Sequence, residues 1–393
     1  MGRRTWHPPQ DDLYFVALRE TAGGFDSTGR CAVAALTFTT PSTSDAQTGV
    51  TFGMRHLSGR RAPLRNPYLF GDEMPSTQNN TNSPGGQPVK LFDSHAHLVA
   101  DDQTRYPRNP MKRSPNAPPR LPGVVGLPGG KHGPNPLNEV PDVSRMLPWM
   151  QEARVEGAVA VQKRMIYRYD NSYILDSSDK HPEVFSAVVI LDAQDEGTPV
   201  LVRSYIEKHG LAGVRLFGGR EADGTMPWLD SPHALQTWAV ADEYGIVMDL
   251  EVLAIGGGGP SVPAIIELAR RFPNVRVVLD HMLEPEVEDD NYGFDERFVS
   301  LTAEPNIFFK FTSINLDIYR ETDTPTHEVL RRAVDMFGAD RIMWGSDIGT
   351  SSGTYRDMVQ RMLNAALLLS DAERHAVLYE TGKAVFVKGG VRG

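Results

Sequence analysis

Cysteine is all but missing from this chain: Cys31 is the single one in 393 residues. One cysteine excludes an internal disulfide and a zinc site built on cysteine pairs, and a reducing, cytoplasmic setting is the expectation. Long apolar runs are missing as well. Apolar residues make up 40% of the chain, yet no run reaches the roughly eighteen or more that a membrane span requires. Arg3 and Arg4 have no apolar stretch behind them, so neither a secretory nor a twin-arginine signal is expected. Positive charge is in deficit, with 40 Lys and Arg against 50 Asp and Glu and a formal net charge of −10. That balance argues against nucleic acid and anionic membranes as partners and leaves a small molecule as the expected one. A site inside an acidic protein can still be locally basic. Whether the chain forms a homo-oligomer is left open.

Two regions differ in composition. Residues 1–89 hold Pro8-Pro9 and the polar run Ser76-Thr77-Gln78-Asn79-Asn80-Thr81-Asn82-Ser83-Pro84-Gly85-Gly86. Such stretches bury little, so this part reads as an irregular, low-complexity or partly disordered N-terminal extension, with a small hairpin as the alternative. Met74 opens a plausible shorter chain. From residue 90 to 393 the pattern is regular. Eight short apolar or β-branched runs, at 90–95, 157–162, 184–191, 211–217, 245–252, 275–281, 306–312 and 341–347, alternate with amphipathic stretches. Near-continuous runs such as Ala158-Val159-Ala160-Val161 suit strands buried on both faces. Eight β/α units over this length predict an α/β fold of the (β/α)8 TIM-barrel type. A doubly wound open sheet is the runner-up, weakened in its dinucleotide version because no G-x-G-x-x-G follows the first strand.

The chemistry-bearing residues stand at the ends of these runs. His95 and His97 lie two apart, so in a strand both imidazoles face the same way and can converge on a divalent ion or a polarised water. Lys163 and Arg164 follow the second run. Arg215 is on the fourth, Asp249 and Glu251 on the fifth, Asp280 and His281 close the sixth, Lys310 is on the seventh and Asp347 ends the eighth. Ionisable groups at the ends of apolar strands are costly unless paired or ligated. In such barrels chemistry sits at the C-terminal strand ends. Taken singly, His281 could be a core histidine, Arg215 or Lys310 half of a structural ion pair, and Asp280 a loop cap. Two segments are less legible. The Pro- and Gly-rich stretch after Pro107 should overlie the site or run along the surface. Ile255-Gly256-Gly257-Gly258-Gly259-Pro260 is either an anion-binding helix start or a plain turn.

One ordered set of motifs goes further. Phe92-Asp93-Ser94-His95-Ala96-His97-Leu98, Tyr106-Pro107, Val161-Gln162 with Tyr169-Asp170-Asn171, Gly213-Val214-Arg215, Met248-Asp249-Leu250-Glu251-Val252, Leu279-Asp280-His281 and Trp344-Gly345-Ser346-Asp347 together resemble the amidohydrolase-related barrel family. Within it they resemble the lactonase branch of 2-pyrone-4,6-dicarboxylate lactonases and sugar-lactone hydrolases. The resemblance spans residues 90 to about 387. It implies that His95 and His97 line a metal or water site, that Asp347 is the base that activates water, and that His281 is the histidine of strand six. The chain departs from many members at strand five, where no histidine stands beside Asp249 and Glu251. A metal, zinc first, would then be held by His95, His97 and Asp347, with Glu251 or His281 as a fourth ligand; working without metal is the other option. The implied reaction is lactone opening by base-activated water. Lys163, Arg164, Arg215 and Tyr169 would then hold an anionic or polyhydroxylated substrate, and His281 would serve as proton donor. A metal-dependent decarboxylase of the same barrel and a non-catalytic binding barrel are the rivals.

Overall fold

Val, Ile, Leu and Ala dominate the eight runs, and a strand apolar on both faces is stable only with a layer packed on each side. The computed structural model, which describes residues 89–110, 140–221, 223–253, 258–285 and 291–387, arranges them in that way. The strands are β1 Leu91–His97, β2 Val155–Val161, β3 Phe185–Ile190, β4 Gly213–Gly219, β5 Val247–Leu253, β6 Arg276–Leu279, β7 Ile307–Thr312 and β8 Ile342–Gly345. They form one parallel sheet in chain order. The predicted (β/α)8 barrel is the fold observed. Each strand matches one of the expected runs, with ends moved by a few residues. The N-terminal extension, apart from Val89, lies outside the described residues, as do most of the loop after β1 and residues 254–257. Among the described residues no helix is long and apolar enough to cross a membrane.

Helices α1 Val143–Ala153, α2 Ser172–Lys180, α3 Thr198–His209, α4 Pro232–Tyr244 and α5 Val262–Arg271 return the chain after the first five strands. Their stops are written locally. Gly210 and Gly245 end α3 and α4 in the left-handed region, at φ 62° and 59°, where a residue without Cβ is least strained. After β6 comes the short α6, Glu296–Ser300. Two helices follow β7, α7 Ser313–Glu321 and α8 Thr326–Phe337; α9 Tyr355–Ala365 follows β8.

The sheet closes on itself between β8 and β1. Asp347 N–H donates to the His95 carbonyl at 2.7 Å, Ser94 Oγ donates to the Trp344 carbonyl at 2.6 Å, and Ala96 bridges in parallel to Ile348. Closure depends on Gly345. A Cβ there would lie 2.6 Å from His95 Cβ, closer than any side chain permits. The floor of the barrel is apolar: Phe92, Val159, Val188, Val247, Val278 and Met343 pack on Tyr379, Val385 and Phe386 of the C-terminal segment. That segment starts at a capping box between Ser370 and Glu373, as its sequence suggests, and runs through α10 Asp371–His375 to α11 Thr381–Phe386. Phe386 packs beneath Lys310, its ring centroid 5.2 Å from Nζ, and helps close the barrel from below.

Candidate active site

Side chains alternate along a strand, so β4, β5, β6 and β7 each send one polar residue inward directly above the apolar floor. Val247 is followed two residues on by Asp249, Val278 by Asp280 and Phe308 by Lys310, and on β4 Gly213 is followed by Arg215. β1 delivers His95 by a different device. Its pairing with β2 skips between Asp93 and Ala96, a bulge with one extra residue on β1. The bulge lets Phe92 face the floor and His95 and His97 still face inward above it.

The inner layer is a closed ionic network. Lys310 Nζ reaches Asp249 Oδ2 at 2.5 Å, Asp280 Oδ1 at 3.0 Å and His95 Nδ1 at 3.2 Å. Arg215 Nε donates to Asp280 Oδ2 at 2.6 Å and its Nη2 donates to Glu251 Oε2. Burial by itself would raise the Asp280 carboxyl, but Lys310, Arg215 and His95 outweigh it and hold that carboxyl well below the usual range. Asp249 goes the other way: burial, and then the charge of Asp280, push its carboxyl up. Burial also lowers the His95 imidazole well below its ordinary value, with Lys310 adding to the effect and Asp280 opposing it.

Above this layer His95, His97 and Asp347 face one another. His97 Nδ1 lies 2.9 Å from the Val161 carbonyl. A carbonyl only accepts, so Nδ1 carries the proton and the neutral ring presents a bare Nε2. That Nε2 lies 3.1 Å from Asp347 Oδ1, and His95 Nε2 lies 3.8 Å from the same oxygen. Burial, reinforced by the charge of Lys163, lowers His97 to about 4, so the ring is neutral at ordinary pH. A lone pair then faces a carboxylate at contact distance. Two acceptors repel at that range unless a cation or a proton lies between them. His95 Nε2 and Asp347 Oδ2 are buried with no hydrogen-bond partner. Ligand atoms around a tetrahedral zinc, bonded at about 2.0–2.1 Å, stand about 3.3 Å apart. These residues fit a divalent ion: His95, His97 and Asp347 offer three donor atoms within 4.8 Å of one another.

Asp347 is held in place by backbone and by Asp93. Its own φ of 47° is in the left-handed region. Asp93 Oδ1 accepts from His95 N–H at 3.0 Å and Ser346 N–H at 2.8 Å, and Oδ2 accepts from Tyr355 Oη–H at 3.0 Å. One buried carboxylate thus ties the strand of the paired histidines to the turn that carries the acid. Burial by itself would raise Asp347. The His97 ring in contact with it and the nearby His281 and His95 rings outweigh burial and hold the Asp347 carboxyl well below the usual carboxylate range.

The other expected residues divide. His281 follows β6 in a turn where His281, Met282, Leu283 and Glu284 all have positive φ, from 47° to 58°. Thr312 Oγ1 donates to Asn315 Oδ1 at 3.1 Å, so the 2.7 Å contact with His281 Nδ1 is donated by the ring. The His281 ring centroid is 5.5 Å from that of His95. Lys163 is buried and donates to Thr350 Oγ1, a contact with no signal in the sequence. Burial lowers its ammonium to about 8, with Asp347 opposing. The Arg164 guanidinium lies over Phe217, 4.3 Å from the ring centroid, and 5.7 Å from that of Tyr169. Arg215 and Glu251 stand apart from the expectations made of them. Arg215 spends Nε and Nη2 on Asp280 and Glu251. Glu251 groups with Asp280 and His281 rather than with the other three candidate ligands.

Residues 92–387 match the family model described as amidohydrolase. An L-fucono-1,5-lactonase of Burkholderia ambifaria is 26% identical over 202 residues, 51% of this chain and 67% of the relative. Among solved structures, a putative 2-pyrone-4,6-dicarboxylic acid hydrolase of Pseudomonas putida superposes with a TM-score of 0.56 at 17% identity. It covers 76% of this chain and 98% of that one. A 5-carboxyvanillate decarboxylase of Sphingomonas paucimobilis does so with a TM-score of 0.52 at 15% identity, over 76% and 99%. The same barrel therefore carries both chemistries, and these two likenesses speak to the fold alone.

Proposed function

The chain belongs to the amidohydrolase family, and from that premise we propose that it is a hydrolase that opens a lactone ring, of an anionic or polyhydroxylated acid. The observation that carries this reading is the meeting of a bare His97 Nε2 and an ionised Asp347 in a buried cup, with a lysine beside both. The 26% identity to a sugar-lactone hydrolase supports the same direction.

A lactone carbonyl needs an attacking water, a proton acceptor and positive charge where the oxyanion forms. Asp347 takes one proton from the water as its oxygen bonds to the carbonyl carbon. The ammonium of Lys163, whose charge acts on both His97 and Asp347, stabilises the oxyanion. Collapse breaks the ring C–O bond, and the leaving alkoxide receives the proton held by Asp347. His281, whose Nδ1 donates to Thr312 Oγ1, offers its Nε2 as a second place where that proton can rest. A carboxylate held as low as Asp347 is a weak acceptor, so the water has to be acidified by a neighbouring cation. Bound by His95, His97 and Asp347, a divalent ion, zinc by preference for this donor set, would supply that acidity and polarise the carbonyl. Arg164, backed by Phe217 and Tyr169, and Lys163 form the basic wall against which substrate carboxylate or hydroxyl groups would lie.

The test is a panel of sugar lactones and pyrone carboxylates followed with a pH indicator, before and after treatment with chelator and after zinc is returned. Proton release on at least one lactone, lost in Asp347→Asn, is the expected result. No hydrolysis across the panel, together with carbon dioxide release from hydroxylated aromatic acids, would replace this reading with the decarboxylase. Activity that survives chelation would remove the metal while keeping the hydrolase.

A further inference from the structure

Below the cup lies a second set of three donors that no metal need occupy. A ring nitrogen of His95, an oxygen of Asp249 and an oxygen of Asp280 lie within 4.8 Å of one another, the same limit that the donors of the cup meet. All three residues are buried. By donor type this inner position, like the outer one, suits a divalent ion. It already contains a cation. Lys310 Nζ stands 2.5 Å from Asp249, 3.0 Å from Asp280 and 3.2 Å from His95. It reaches that point from β7 across the floor, with Phe386 beneath it at 5.2 Å from the ring centroid.

We propose that Lys310 is a built-in cation that occupies the inner position, so that a divalent ion can enter only the outer cup, with His95 donating its Nδ1–H to Asp280 Oδ1 at 3.2 Å and turning its other nitrogen to that cup. An ammonium and a divalent ion cannot share a cavity of this size. The separations suit the ammonium: metal–oxygen bonds at such sites are about 2.0–2.2 Å, and these contacts are longer. Two buried carboxylates with no cation between them would repel, which favours a cation in this position. Lys310 is in this sense a positioning residue. It neutralises Asp249 and Asp280 and holds them against His95 Nδ1, while the opposite nitrogen, Nε2, faces Asp347.

This inference rests on the reading of the outer cup as a metal site, and the experiment separates the two. The full-length chain and its Lys310→Ala variant are stripped with chelator, equilibrated with zinc and dialysed, and the zinc bound per chain is counted by elemental mass spectrometry. Circular dichroism checks that each is folded. One ion in the wild type and two in the variant is the expected result, with the extra ion displaced by millimolar methylammonium. None in the wild type and one in the variant would keep the role of Lys310 and reject the cup as a metal site. Two ions in the wild type, or equal counts in the two proteins, would overturn the proposal. Should Lys310→Ala not fold, the wild-type count still decides: two ions overturn the proposal, and one or none supports it.

Discussion

His97 holds the carbonyl of Val161 with one ring nitrogen and faces Asp347, 250 positions later in the chain, with the other at 3.1 Å. The tautomer set on one side of the ring therefore decides what can lie on the other: a proton or a metal ion, and nothing neutral.

Asp347→Asn keeps the shape of the turn and removes the proton acceptor. The variant is expected to fold with a near-native melting temperature while kcat falls by about 10²–10⁴, the range for loss of a general base. Because Asp347 stays ionised far into acid, it will not produce an acid limb in the pH–rate profile at ordinary pH; the limb belongs to His97, near pH 4. A limb at pH 5–6, or near-native turnover in the variant, would move the base elsewhere, with Glu251 next in line.

Stability should follow His97 in the chelated protein. In the fold its imidazole is lowered from an ordinary 6.5 to about 4 by burial and by Lys163. Between those values the unfolded chain binds a proton that the folded chain does not, so stability falls as pH drops through that window. The full effect is about 3 kcal/mol. Denaturant midpoints measured from pH 7 to 4 should show it, with a shallower slope in His97→Asn. An equal slope in both proteins would assign the loss to other groups.

Lys163 should give the KM of an anionic lactone a basic limb. Its ammonium, lowered to about 8 by burial, loses its proton above that pH. KM is expected to be flat below about pH 7 and to rise through 8, to be high throughout in Lys163→Met, and to lose the rise in Lys163→Arg. A pH-independent KM in the wild type up to pH 9 would show that this ammonium does not meet substrate.

Arg215→Ala should be a folding defect before it is a binding defect. It strips the partner from Asp280 and Glu251, and breaking a buried pair in this way costs about 3–5 kcal/mol. A variant with wild-type melting temperature and raised KM would return Arg215 to the substrate wall.

Glu284→Gly should stabilise the protein. Glu284 is the last of four successive residues in the left-handed region, at φ 47°, where a side chain costs about 1–2 kcal/mol and glycine costs little. A gain of about 1 kcal/mol in unfolding free energy is expected. A loss of that size would mean that the carboxylate makes a contact worth more than the strain.

Much of this was legible before any coordinate. Val247-Met248-Asp249-Leu250-Glu251 and Ile307-Phe308-Phe309-Lys310 read as buried strands that carry ionisable residues, because the period of two is a local property of the backbone. The pairing of His95 with His97 was legible for the same reason. The bulge that lets Phe92 and His95 face the same interior was not, since it is defined only by the partner strand. Nor was the left-handed turn after β6, where four residues without glycine adopt a conformation that none of them prefers.

Residue identity and local periodicity determined by themselves that this chain would build eight parallel strands and carry ionisable side chains on nearly all of them. They also determined that chemistry would gather where those strands end. Which of those side chains meet was decided only by the closed barrel. Asp249 and Lys310 are 61 positions apart and Arg215 and Asp280 are 65 apart. Their meeting depends on the stagger at which the strands close, a property of the whole sheet. That is why Arg215, read in isolation as a clamp for substrate, is spent on its neighbours, and why Lys310 stands where a metal ion could have been.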